Sequence, residues 1–119
     1  MIINKLQNIA GTTDKVVGPN ASATDLGNQN KRRVSKLIIS NTHASRTLGF
    51  SLYVTDKALT KYYIVGGTTS YMKVRPGYSV DIFENVPYEY LNVEALWIKL
   101  ADAADTASTL MNMENINNF

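Results

Sequence analysis

Residues 48–54 read Leu-Gly-Phe-Ser-Leu-Tyr-Val, an alternation without a break. Leu48, Phe50, Leu52 and Val54 fall on one side of an extended chain, and Gly49, Ser51 and Tyr53 on the other. A period of two marks a strand with one face on a core; a helix would space its apolar residues three and four apart. The neighbouring segments follow suit. Residues 34–40, 61–65, 70–74, 78–83, 96–100 and 108–113 are short runs rich in branched and aromatic side chains. Turn chemistry separates them: a polar connection at 41–46, Asp56-Lys57-Ala58, Gly66-Gly67, Arg75-Pro76-Gly77, Asn85-Val86-Pro87 and a small Ala/Asp loop at 101–106. Residues 88–95 read equally as a short strand or a helical turn. Seven short strands and no convincing helix predict an all-β fold, a single antiparallel β-sandwich of jelly-roll or immunoglobulin-like kind over residues 31–113.

The two ends differ from this middle. Residues 1–30 offer Ile2, Ile3, Leu6, Ile9, Val16, Val17 and Leu26 among Asn, Thr, Gly and Ser in no regular order. Gly11–Asp14 and Gly18-Pro19-Asn20 are turn signals. Ile2, Leu6 and Ile9 match one face of a short helix, but ten residues make a marginal helix without tertiary support. The expectation is an extended N-terminal arm over residues 1–30, with one short strand at 15–17. Residues 114–119 form a polar tail apart from Ile116 and Phe119. Ile2, Ile3, Leu6, Ile9, Ile116 and Phe119 are therefore candidate anchors on neighbouring proteins.

Composition removes much chemistry. The 119 residues include no cysteine and one histidine, which excludes disulfides, thiol nucleophiles, zinc–cysteine sites and multi-histidine metal sites. His43 lies in a polar turn without a neighbouring carboxylate in sequence, so it reads as a hydrogen-bonding loop residue and not as a triad base. Residues 65–70 superficially match a phosphate loop but lack its Gly-Lys-Ser/Thr ending, and predict a hairpin turn. Asp102 and Asp105 raise calcium, at a spacing that fits no EF-hand. No catalytic residue, cofactor, metal or small-molecule substrate is expected. No apolar run approaches the roughly 20 residues of a membrane helix, and the opening residues lack the pattern of a secretory signal.

Charge and tyrosine are the remaining features. Lys31, Arg32, Arg33 and Lys36 put four cations into six residues, while Asp81, Glu84, Glu89 and Glu94 bring four acids to residues 81–94 without a cation among them. The readings open are solvated faces, a phosphate contact, or salt bridges between copies of the chain. A formal net charge of +2 argues little for nucleic acid, and none is expected as partner. Seven tyrosines suit protein interfaces, sugar stacking or cross-strand pairing.

The order of these elements resembles a family. Leu37-Ile38-Ile39-Ser40-Asn41-Thr42-His43-Ala44-Ser45 is followed by Gly49–Val54, by Tyr62-Tyr63-Ile64-Val65, by Val74-Arg75-Pro76-Gly77-Tyr78 and by Val86-Pro87. Over residues 37–113 this is similar to small β-sandwich structural proteins of tailed-bacteriophage virions. His43 stands where that family often has an acid, and the arm lies outside the resemblance. The resemblance implies a non-enzymatic virion component assembled in the host cytoplasm, foremost a decoration or cement protein of the capsid. A neck or tail ring component is the alternative, and a carbohydrate- or receptor-binding module the second. Its partners would be other copies of itself and the major capsid or neck and tail proteins.

Overall fold

The computed structural model describes residues 2–21 and 31–116. Among the described residues, ten strands form two antiparallel sheets packed face to face: β1 (Ile2–Ala10), β2 (Lys15–Val16), β3 (Lys31–Asn41), β4 (Leu48–Thr55), β5 (Lys61–Val65), β6 (Met72–Val74), β7 (Ser79–Asp81), β8 (Tyr88–Leu91), β9 (Ala95–Leu100) and β10 (Thr106–Ile116). The first sheet runs β1-β10-β3, with β7 and β8 sharing the far edge of β3. The second runs β2-β9-β4, with β5 and β6 sharing the far edge of β4. Counting each shared edge as one strand position leaves eight, with the first paired to the last and the second to the seventh. That is a jelly roll, one of the two arrangements the strand pattern predicts.

The core lies between the sheets. Val34, Leu37 and Ile39 of β3 with Ala107, Met111 and Met113 of β10 face Leu48, Phe50, Leu52 and Val54 of β4 with Leu96, Ile98 and Leu100 of β9. The alternation in β4 thus points where the sequence indicates. In β3 the inward set skips from Val34 to Leu37, because the register with β10 slips beside Ser35, between Asn112↔Lys36 and Met113↔Val34. A one-residue bulge restores inward aim after an odd spacing. The Arg75-Pro76-Gly77 turn closes by Tyr78 N–H donating to Arg75 O at 3.1 Å, with Gly77 at φ 78°. Pro at the second and Gly at the third position are what such a turn demands.

Both ends differ from expectation. Residues 2–10 are a strand, paired residue for residue with β10 from Ile2↔Glu114 to Ala10↔Thr106. The short strand expected at 15–17 is present as Lys15–Val16, and it is no part of a free arm: it pairs with Ile98 and Trp97 of the second sheet. Residues 114–116 continue β10, opposite Arg33, Arg32 and Lys31. The described part of the expected arm is therefore an edge of each sheet, and the start of the expected tail belongs to a central strand. The spacing of Leu6 and Ile9 suggested one helical face; three residues apart in a strand, they point oppositely, Leu6 at 78% exposure and Ile9 at 2%. Gly18 makes the crossing between the sheets possible: at φ 84°, an added Cβ would lie 2.6 Å from Met111 Sδ.

Candidate functional site

The outer face of the first sheet is a set of cross-strand rows, because paired residues in an antiparallel ladder share a face. The middle row is apolar: Leu6, Leu110 and Ile38 stand side by side across β1, β10 and β3. Small polar side chains flank it. Asn8, Ser108, Ser40 and Ser79 form the row on one side, where the Ser40 and Ser79 hydroxyls are 2.6 Å apart. Asn4, Asn112 and Lys36 form the row on the other. Beyond it lies the charged row. Arg33 Nη2 is 3.0 Å from Glu89 Oε2, and its Nη1 3.4 Å from Glu114 Oε1.

These positions decide how the charged candidates are used. Lys31, Arg33 and Lys36 share the outer face of β3, the bulge beside Ser35 keeping Lys36 in line, and only Arg32 leaves the run, because neighbouring strand residues face opposite ways. Arg32 is 8% exposed, donates through Nη1 to Pro19 O at 3.3 Å and sits 5.9 Å from the centre of the Tyr90 ring. Burial pushes the Tyr90 hydroxyl up in pKa, against the opposing pull of Arg32. Arg33 and Glu89 meet within one chain, because β8 pairs with β3 over Lys31–Val34. The complementarity expected to join copies is, for this pair, an internal contact. Lys31 is paired with Leu91 on one side and Ile116 on the other, and is half-buried. Asp81 is half-buried beside Ile38, while Glu84 is exposed in the loop before β8. Phe119 lies outside the described residues.

The second sheet covers its own outer face. Tyr63, Tyr53 and Trp97 form a row across β5, β4 and β9. Trp97 stacks on Tyr53 at 6.0 Å between centroids and 7° between planes, and Tyr63 tilts against Tyr53 at 5.3 Å. Trp97 Nε1 donates to Thr55 Oγ1 at 2.9 Å, and Lys61 Nζ lies 5.0 Å from the Tyr53 ring centre. Tyr53 Oη donates to Asp14 Oδ2 at 2.5 Å. Burial, reinforced by that carboxylate, holds the Tyr53 hydroxyl well above the ordinary tyrosine pKa. The tyrosines are thus largely stacked on one another; Tyr88 likewise lies between Phe83 and Tyr90. Tyr62 and Tyr78 are the exposed ones, at 55% and 63%.

Side chains of the kind that perform chemistry are built into loops. His43 Nδ1 accepts from the backbone N–H groups of Ser45 and Arg46 at 3.1 and 3.0 Å, as expected for a loop residue. Asp105, 2% exposed, accepts from Arg46 Nε at 3.0 Å and from Asp102 N–H at 3.1 Å. Arg46 Nη2 also lies 2.9 Å from Asp102 Oδ2, so its guanidinium stands where calcium would have to bind. Asn41 is buried and fully used: its Nδ2 donates to Arg46 O and Val74 O at 2.7 and 2.9 Å, and its Oδ1 accepts from His43 N–H at 2.9 Å. Asp56 accepts from Ala58 and Thr60 N–H at 2.9 Å each, and the Thr60 bond foremost lowers its pKa. The recesses are open to solvent. The one beside Trp97, between Val16, Asp56 and Leu59, encloses about 400 Å³ and brings together no pair of catalytic type.

Leu110 and Ile38 complete the row begun by Leu6, and neither stood out in the sequence. Only the pairing of β1, β10 and β3 aligns them, and strand order is not carried by local pattern.

No family model and no curated protein matches the sequence. Four chains of solved structures match, and one of them aligns at a TM-score of 0.49 and 12% identity, over 99% of this chain and 89% of its own length. It comes from Bacillus endospore appendages, described as a novel family of disulfide-linked pili. The present chain has no cysteine and forms no disulfide.

Proposed function

We propose that this chain is a non-enzymatic structural subunit that works by assembly, and within that class a decoration or cement protein on the head of a tailed bacteriophage. The observation that carries the reading is the outer face of the first sheet. It presents Leu6, Leu110 and Ile38 as an apolar row flanked by Asn and Ser side chains and Lys36. Such a face suits many modest contacts repeated by symmetry, where each is weak and their number holds the assembly together. The reactive side chains His43, Asp105, Asp14 and Asp56 are meanwhile engaged in building loops and covering the second sheet. The jelly roll is shared by viral capsid and lectin domains. That is an analogy of fold, and function has to be argued from the surface.

Quantitative mass spectrometry of gradient-purified virus particles from the source tests the reading. Copy numbers comparable to the main shell protein support a head decoration. A small, ring-like complement reassigns the chain to the neck or tail. Absence from particles overturns the virion assignment, and glycan binding by the isolated domain becomes the reading to test next.

A further inference from the structure

We propose that β1 is a dimerisation edge: two copies pair antiparallel through their β1 strands, joining two first sheets into one continuous sheet across a two-fold axis. The inference concerns the surface alone and stands whether or not the chain belongs to a virion. Among the described residues, β1 is the terminal strand of its sheet, nine residues long, with β10 on one side and no strand on the other. Its ladder with β10 has no register shift, so the strand is regular along its length. Long edge strands are usually blunted by proline, by a bulge or by outward charges. β1 has no proline, no bulge and a single charge, Lys5. That charge points to the inner side, where Lys5 Nζ donates to Gly18 O at 2.9 Å.

The occupant is a second copy because the strand is complementary to itself. Full overlap of residues 2–10 in an antiparallel pair sets Leu6 opposite the partner's Leu6, Asn4 opposite the partner's Asn8, and Lys5 opposite the partner's Gln7. On the outer face the row Ile38–Leu110–Leu6 then continues into its own copy, so the 78%-exposed Leu6 is covered by an identical side chain. The flanking pairs are asparagine with asparagine, which hydrogen-bond each other. On the inner face an ammonium with donors to spare meets Gln7, whose Oε1 is buried without a hydrogen-bond partner among the described residues. No like charges stand directly opposite: Lys5 and the partner's Lys5 are diagonal neighbours, and each ammonium is drawn to its own Gly18 O. The contact is isologous and closes after two copies. Sheet extension of this kind draws its affinity from main-chain hydrogen bonds and its register from side chains.

The test uses the full chain. Leu6→Cys introduces the only cysteine, at the position lying on the axis, and facing residues of an antiparallel pair lie within disulfide reach in either hydrogen-bonding phase. Under mild oxidation it is expected to convert to a covalent dimer far faster than Leu59→Cys, a control at another exposed leucine. In light scattering at rising concentration, the wild type is expected to approach twice the 13.2 kDa chain mass. Leu6→Lys, which places two ammonium groups face to face on the axis, is expected to stay monomeric with an unchanged folded circular-dichroism spectrum. Equal cross-linking of the two cysteine variants, or a dimer indifferent to Leu6→Lys, would overturn the proposal.

Discussion

The two sheets have similar inner faces and opposite outer ones. The central strand of the second sheet, β4, is buried along its whole length: Tyr63 and Trp97 cover Tyr53 on the side turned from the core, Gly66 packs on Ser51, and Tyr71, Lys73 and Ala101 close over Gly49. The corresponding surface of the first sheet carries one short apolar row and otherwise Asn, Ser, Lys and a salt-bridged arginine. One face is completed by its own side chains. The other is left largely uncovered, as the proposed pairing through β1 requires. If the proposals above hold, stability resides mainly on the covered face and association on the bare one, and each can be perturbed without the other.

The largest expected effect is on the covered face. Trp97→Ala removes the ring stacked on Tyr53 and the bond to Thr55, and should cost about 3 kcal/mol in urea denaturation. Leu110→Ala, on the bare face and partly exposed, should cost no more than about 1 kcal/mol in the monomer. Equal losses would abolish the distinction between the faces.

Tyr53→Phe is the intermediate case, at about 1 kcal/mol for the lost bond to Asp14. Its pH dependence sharpens the point. In the unfolded chain a tyrosine ionises near pH 10, whereas burial and Asp14 keep folded Tyr53 protonated to higher pH. The unfolded state then binds fewer protons than the folded one, so stability is whole below about pH 10 and falls as pH rises further. Denaturation midpoints from pH 8 upward, the ordinary tyrosine range lying near 10, should therefore decline less steeply in Tyr53→Phe than in the wild type. Some decline should remain, because Tyr62, Tyr88 and Tyr90 are raised as well.

The smallest effect belongs to the charged row. Arg33→Ala breaks contacts to Glu89 and Glu114 whose side chains are each about two-fifths exposed. Such pairs contribute about 0.5 kcal/mol and are weakened by salt. A loss several times larger would mean that the bare face is held together by charge.

The same contrast explains what was legible in the sequence. The strand at residues 48–54 announced itself because its core side chains repeat every second residue, and the Pro-Gly turn because its backbone needs those two residues. Burial of Gly49, Ser51 and Tyr53 on the opposite side was not legible: Tyr53 is covered by rings of β5 and β9, and Gly49 and Ser51 by residues of 66–73 and Ala101, all distant along the chain. β1 was missed for a different reason. At an edge, Lys5 and Gln7 can point inward and bond to Gly18 O and Val16 O, so the strand lacks the apolar alternation that identifies one. Opposite charges at residues 31–36 and 81–94 were visible, but whether Arg33 meets Glu89 within a chain or between chains depends on which strand lies beside β3. The apolar row is hidden in the same way, since Leu6, Ile38 and Leu110 are neighbours only once three strands are paired.

The central claim is that the first sheet is unfinished at β1 and completed by a second copy. Hydrogen–deuterium exchange of the wild-type chain, compared between dilute and concentrated protein, tests it most directly. The account predicts that amides of residues 2–10 gain protection as concentration rises, while those of β9 in the second sheet do not change. Exchange along β1 that is the same at every concentration would contradict it.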